Sequence, residues 1–442
     1  MSDQVVAARL RTGTMPWALT GSSIESVRAQ AALLLKRLDE VPSAAACAPA
    51  PPVSAWAGSP AADDGGYRAV VLASSTEQLR AELAGLAAGR RTRSRFSAAA
   101  RARSRSVFVF PGVGSHWPGM AADLLDDSDV FRSVVDDCAD ALAPHVDWRL
   151  PDVLRQTPGS ASWDRVDVIQ PALFSVMVAL AAVWRSFGVE PIAVIGHSNG
   201  EIPAAVVSGG LSLEDGARVV AQWSRLQIPL SGRGGMMLVP RRPEEVARRL
   251  ERMEPGLYLA GCNGPEATAL SGSVEAIERA MTVFNAEGVK ARRINIDVPA
   301  HTPLMDIRDE LLPALAALRP RTAVVPFYSS LAGGLIDTRE LGPEYWYRCM
   351  SEPVRFDRCV RALANADAFL ELSPHPVLTV SVQQTLAETG SDAVVVGSLR
   401  RGEPGPGRLL ASLAELFVHG VPVDWSPVRP ARAADSDKEP GP

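Results

Sequence analysis

Cysteine is scarce in this chain: five in 442 residues, at Cys47, Cys138, Cys262, Cys349 and Cys359. They are scattered, odd in number and lack metal-ligand spacing, so they read as reduced thiols in a cytoplasmic protein rather than a disulfide framework. The six histidines form no cluster, and no metal site is expected. No signal-peptide pattern follows Met1, and no apolar run of about 18 residues stands out, so no membrane span is expected. The formal charge of −5 carries no global bias toward nucleic acid or a membrane surface. What remains is ordinary globular material, 47% hydrophobic and 21% charged, long enough for two or three compact units.

Against that background one stretch stands out, Val194-Ile195-Gly196-His197-Ser198-Asn199-Gly200-Glu201. The apolar run Pro191–Ile195 predicts a buried strand, and Glu201–Val207 a helix. Strand, Gly-x-Ser-x-Gly turn and helix together describe a nucleophile elbow. The glycines allow a tight turn and leave the serine uncrowded. Amides at the helix start can then bind the oxygen of a tetrahedral intermediate.

The rest of the chain arranges itself around this turn. Residues 1–15 show no pattern. A strand at 16–19, a helix at 24–38, a strand at 67–73 and a helix at 75–88 make a small α/β module over 16–105. Its 42–66 loop, rich in Ala, Pro, Ser and Gly, reads as disordered. Seven arginines between Arg90 and Arg105 read as a solvated connector. Val107–Phe110 is a buried strand running into Pro111-Gly112-Val113-Gly114-Ser115. That turn fits neither a P-loop nor a dinucleotide fingerprint, and is better placed with its amides facing Ser198. Helices follow at 121–143, at 171–187 with Pro171 in the first turn, and at 213–226.

From Gly235 to Ile296 the order becomes β-α-β-β-α-β, a ferredoxin-like lobe at 235–296. Residues 297–399 resume the large domain that began at 106–234, with a helix at 303–317, strands at 324–328, 369–371 and 393–396, and a helix at 376–387. A helix at 408–418 lies within a C-terminal linker and disordered tail, 400–442. The predicted fold is α/β, with the small lobe inserted into the large domain and a substrate cleft between them.

Ser198 needs a base. His197 adjoins it on the turn and would point elsewhere; His145 and His419 lie in amphipathic or terminal segments. His301, where the small lobe ends, and His375, in Ser373-Pro374-His375-Pro376, both remain open, with spacing favouring His301.

Several ordered motifs now combine. They are Phe110–Met120, Gln170-Pro171-Ala172-Leu173, Gly196–Glu201, Asn263-Gly264-Pro265 with Ser271-Gly272, Pro299–Pro303, Tyr345-Trp346-Tyr347 with Pro353–Phe356, and Ser373–Leu378. Over 107–400 the chain resembles the acyltransferases of modular type I polyketide synthases, relatives of malonyl-CoA:acyl-carrier-protein transacylases. Residues 16–89 and 400–428 resemble the linkers that flank such domains. The resemblance implies an α/β-hydrolase-like core with a ferredoxin-like lobe, Ser198 as nucleophile, His301 as general base and a structural His375. It implies that a backbone carbonyl orients the imidazole, that the amides of Val113 and Asn199 form the oxyanion hole, and that Gln170 and Asn263 support the cleft. No bound cofactor is implied; the donor is an acyl-CoA or acyl-carrier thioester. The implied partners are an acyl carrier protein and neighbouring synthase domains.

The departures bear on specificity. Members that load malonyl or methylmalonyl groups carry an arginine in the helix after the elbow, and Trp223 stands at that position. An indole offers no bidentate, charge-assisted partner to a carboxylate, a loss of several kcal/mol. Arg225 projects about 200° away around the helix. Val298-Pro299-Ala300-His301 matches neither the usual malonyl nor methylmalonyl form and resembles loading enzymes for uncharged starters. Val113 replaces a glutamine, and Cys349 stands where Asn is usual. The expected activity is ping-pong transfer of a non-carboxylated acyl group to a phosphopantetheine thiol. An acyl hydrolase, an extender-type malonyl or alkylmalonyl acyltransferase and a silent docking module are the alternatives. Carrier docking is expected beside Arg248, Arg249 and Arg252, with Arg241, Arg242, Arg292 and Arg293 near in sequence. Met1 and the polar tail favour a free-standing protein over a synthase fragment.

Overall fold

The computed structural model describes residues 9–40, 66–90, 95–100, 103–251 and 255–430. Most of the expected 42–66 loop, Cys47, Arg252 and the tail from 431 lie outside them.

The large domain is built on a six-stranded sheet. Its order is Gly334–Leu335, Phe327–Ser329, Pro191–Gly196, Ser106–Phe110, Ala368–Glu371, Val394–Gly397. All neighbours pair in parallel except the Gly334–Leu335 edge. Side-chain alternation splits the sheet between two cores. Phe108, Phe110, Val194 and Leu370 enter the larger one, while Val107, Val109, Ile195 and Phe369 enter the other. A strand buried on both faces has to be apolar throughout, which is why Ser106–Phe110 reads as an unbroken run.

The larger core is organised by the helix Val166–Ser186. This corrects the expectation that no long apolar run exists, because the helix has a hydropathy of 2.0 and is long and apolar enough to span a membrane. Here 78% of that apolar window is buried in the protein itself. The helix also starts before Gln170, so Pro171 sits inside it. The Ser175 hydroxyl donates to the Pro171 carbonyl at 2.8 Å. The expected 121–143 helix is two, Ala122–Asp127 and Asp129–Leu142, broken at Ser128, whose hydroxyl caps the second by accepting from the Phe131 amide. The 303–317 helix shortens to Arg308–Ala314.

The small lobe has strand order Arg292–Ile294, Gly235–Val239, Ala267–Gly272, Leu257–Gly264, antiparallel throughout. Its helices, Pro243–Leu250 and Val274–Ala286, contribute Val246, Ile277 and Phe284 to a core with Met237, Val239 and Leu270. The element order is the βαββαβ of a ferredoxin-like unit. Two backbone bonds stitch the lobe to the large domain, Cys262 N to Val354 O at 2.8 Å and Val354 N to Ala260 O at 2.9 Å.

The N-terminal module has three antiparallel strands, not two: Met15–Gly21, Tyr67–Ala73 and Arg95–Ala99. The arginine-rich segment expected to be a solvated connector therefore holds a strand. Arg103 within it is buried, donating to Asp367 O at 2.9 Å and pairing with Asp392 at 3.1 Å. Residues 1–15 are not featureless either. Leu10–Thr12 pairs in parallel with Val428–Pro430, so both flanking segments close on one another.

Candidate active site

Strand Pro191–Gly196 delivers the chain to Ser198, which has φ of +55°, and the backbone then turns into the helix Glu201–Ser208. A left-handed non-glycine residue costs about 1–3 kcal/mol and persists only where its surroundings impose it. They do so here by contact. A Cβ on Gly200 would sit 2.1 Å from the Phe110 carbonyl oxygen, and one on Gly196 would sit 2.3 Å from Glu201 Cα. A Cβ on Gly112 would lie 3.2 Å from Ser198 Cβ, so the turn after strand Ser106–Phe110 does lie against the elbow.

His301 is the second strained residue, with φ of +60°. Its Nε2 lies 2.8 Å from Ser198 Oγ and its Nδ1 3.2 Å from the Glu352 carbonyl, while its amide donates to Met350 O at 2.7 Å. A proton on Nδ1, donated to that carbonyl, leaves the Nε2 lone pair facing the serine. Of the two histidines that spacing left open, the one against the serine is His301; His375 Nδ1 accepts from the Arg401 amide at 3.3 Å instead.

Burial, helped by the nearby His197, pulls the His301 imidazolium down to about 4. The ring is therefore neutral, and able to accept a proton, at neutral pH. We expect the acylation rate to be flat from about pH 8 down to pH 5 and to fall through about 4 as the ring protonates. The same shift couples to folding. The unfolded chain takes up this proton near the ordinary 6.5 and the folded chain only near 4, so the contribution to stability is lost as pH falls between the two. Single-turnover acylation rates across that range check the first statement.

His197 points away from the serine, as expected, and its Nε2 meets Asn263 Oδ1 at 2.8 Å. Asn263, expected as a cleft residue, thus braces the elbow from the small lobe. The ring edge of His197 packs on Phe356 at 5.5 Å. Asn199 is buried and Val113 half-buried. Gln170 is buried and donates to Gln227 Oε1 at 3.1 Å, its own Oε1 having no protein partner. Trp223 is 3% exposed and Val298 4%, both in the large core. Pro299 closes on Gly234, where a Cβ would lie 2.6 Å from the proline Cβ, and its carbonyl accepts from Thr302 Oγ1 at 2.6 Å. Ala300 is half-buried. Arg225 is exposed and bonded to Gln222, on the other side of its helix from the core.

The expected basic face is partly neutralised. Arg248 is exposed, but Arg249 is paired with Glu245 and Glu287, and Arg252 falls outside the described residues. The resemblance implied a carbonyl partner for the imidazole without naming it, and Glu352 O stands there; the Met350 carbonyl that takes the His301 amide was not foreseen. Sequence reasoning also missed that Cys349 Sγ lies 3.9 Å from the Ser198 carbonyl.

A family profile described as acyl transferase domain matches residues 107–423. The chain belongs to the acyl transferase family of polyketide synthases. It is 49% identical over 419 residues to spectinabilin polyketide synthase system protein NorA of Streptomyces orinoci, covering 93% of this chain and 22% of that protein. Against erythronolide synthase EryA3 of Saccharopolyspora erythraea it is 43% identical, covering 94% and 13%. The chain thus spans less than a quarter of these curated relatives. Among solved structures, the acyltransferase domain from module 8 of the salinomycin polyketide synthase superposes with a TM-score of 0.90 at 46% identity, covering 96% of this chain and all of that one. A loading acyltransferase from the avermectin modular polyketide synthase gives 0.68 at 49% identity, covering 71% and 99%. This acyltransferase is therefore similar to loading-type and internal-module domains alike.

Proposed function

We propose that this acyltransferase moves an acyl group lacking a free carboxylate, by a ping-pong mechanism through an ester on Ser198. The observation that carries the mechanism is the 2.8 Å contact of Ser198 Oγ with a buried His301 whose other nitrogen is engaged by a carbonyl. His301 Nε2 takes the hydroxyl proton as Oγ attacks the thioester carbonyl. The amides of Val113 and Asn199 receive the resulting oxyanion. Collapse expels the thiolate, which takes the proton from His301 and leaves acyl-Ser198. A phosphopantetheine thiol of an acyl carrier protein then gives its proton to His301 and attacks the ester carbonyl, and the departing Ser198 oxygen takes that proton back, which restores both residues. The donor is an acyl-CoA or an acyl-carrier thioester.

Support for the neutral acyl group comes from Trp223, buried where carboxylate-loading members hold an arginine, and from Val298, buried in the same core. Exposing the protein to a mixture of acyl thioesters, followed by mass mapping of the acylated peptide, tests the reading. Acylation at Ser198 that a carrier thiol discharges supports it. Discharge to water alone, with no carrier acylation, makes the protein a hydrolase instead.

The exposed Arg248 is the carrier contact this reading favours, because carriers are acidic. Arg248→Glu should slow transfer to the carrier about tenfold while leaving acylation by a small thioester unchanged. Separate measurement of the two half-reactions checks this, and equal loss in both would indicate damage to the lobe.

A further inference from the structure

The mechanism makes no use of Glu201, although it is fully buried three residues past the nucleophile, at the first position of the elbow helix. A buried carboxylate is costly unless it is well bonded. This one accepts from Ser330 Oγ at 2.7 Å, from the Leu331 amide at 3.0 Å, more loosely from Ser329 Oγ at 3.4 Å, and from the Tyr345 hydroxyl. Tyr345 also reaches Ser329 Oγ at 2.7 Å. Burial pushes the Glu201 carboxyl above its ordinary range against the pull of these donors. Burial and the facing carboxylate hold the proton on Tyr345.

One of those donors, Tyr345, belongs to the segment that holds the base, and two others, Ser330 and Leu331, bind its far end. Tyr345 lies on the helix Pro343–Ser351, one turn before Cys349 and Met350. Met350 O takes the His301 amide and Glu352 O faces its Nδ1. Just beyond, the Arg355 amide donates to Ser330 O at 2.6 Å, and the Arg355 guanidinium to Leu331 O. The stretch from 345 to 355 that cradles His301 is thus fastened at one end to Glu201 and at the other to residues that Glu201 binds. Glu201 and Ser198 share one rigid turn.

We propose that Glu201 is a positioning residue, its carboxylate locking the cradle of His301 to the turn that carries Ser198. The proton-transfer distance is then set by the Glu201–Tyr345 contact and not by packing alone. Displacing a reacting group by about 1 Å can cost a hundredfold in rate.

This inference rests on the roles given above to Ser198 and His301, so its test includes a reading that needs no turnover. Tyr345→Phe removes one hydroxyl and keeps the ring. Acylation of Ser198 by a propionyl N-acetylcysteamine thioester should slow by about tenfold in kcat with KM little changed. In the free protein, the His301 ring should titrate above its value of about 4, because a loosened cradle admits water. Glu201→Gln keeps an acceptor for Ser330 and Leu331 but loses the charge and the second oxygen that takes the Tyr345 hydroxyl, so both readings should shift in the same direction as in Tyr345→Phe. Trp346→Phe is the control. It removes the 2.9 Å bond of Trp346 Nε1 to Leu341 O on the same helix, without touching Glu201. Rate and His301 titration, followed by NMR, should both move in Tyr345→Phe and in Glu201→Gln and stay in place in Trp346→Phe. The proposal is overturned if Tyr345→Phe leaves the titration in place. It is equally overturned if Trp346→Phe, at matched loss of Tm, shifts titration and rate as far. An inactive wild type with the predicted titration pattern would count against the catalytic roles alone.

Discussion

Ser198→Ala protein exposed to acyl thioesters should keep its unmodified mass, and transfer to a carrier should be undetectable. Among the described residues no other nucleophile faces His301 Nε2 at hydrogen-bond distance, and Cys349 is the thiol with a contact to the elbow. That thiol is not a substitute, because burial and the negative charges of Glu201 and Glu352 push it well above the ordinary thiol range. His301→Ala should still acylate, but slower by about two to four orders of magnitude, the usual contribution of a positioned general base. The alanine also relieves none of the backbone constraint, since the His301 amide bond to Met350 survives. A matched His375→Ala should be near wild type, because that ring receives only the Arg401 amide. Intact-protein mass spectrometry over time reads all three. A His375→Ala enzyme that fails to acylate beside a normal His301→Ala would reverse the assignment of the base.

The elbow was legible because its constraint is local. Gly196 and Gly200 are required by contacts within a few residues or with the neighbouring strand, and an apolar strand and helix flank them. The βαββαβ lobe was legible for the same reason, since each of its elements carries its own periodicity. What stayed hidden is what depends on distant partners. Leu10–Thr12 is a strand only because Val428–Pro430 lies beside it. Arg95–Ala99 is a strand only because Tyr67–Ala73 pairs with it, and the arginines around it in sequence masked that. The base could not be chosen from spacing, because what brings His301 to Ser198 is a pair of carbonyls at 350 and 352. The resemblance to a family named His301; the 3.2 Å contact of its Nδ1 with the Glu352 carbonyl explains why the sequence needs no aspartate beside it. Asn263 was expected in the cleft and instead holds His197, a relation between two lobes that no single segment encodes.

The second large effect concerns Trp223. Its side chain is 3% exposed in the large core, and the cation nearest in sequence, Arg225, is exposed and bonded to Gln222. A free carboxylate on the acyl group would have to be desolvated against this wall without a bidentate partner, which is where discrimination arises. Acyl groups without a carboxylate should therefore acylate Ser198 at least about tenfold faster than malonyl, a difference of about 1.4 kcal/mol in barrier. Trp223→Arg should narrow the gap without closing it, because Val298 stays buried in the same core and Pro299 is locked against Gly234.

Direct competition is the decisive measurement. Wild-type protein is mixed with equimolar malonyl and propionyl thioesters of the same thiol, quenched before the first turnover is complete, and the mass on the Ser198 peptide is read. The account predicts propionyl-Ser198 in at least about tenfold excess. Malonyl-Ser198 as the major product would contradict it, and would mean that a cation other than one at position 223 reaches the carboxylate in the cleft.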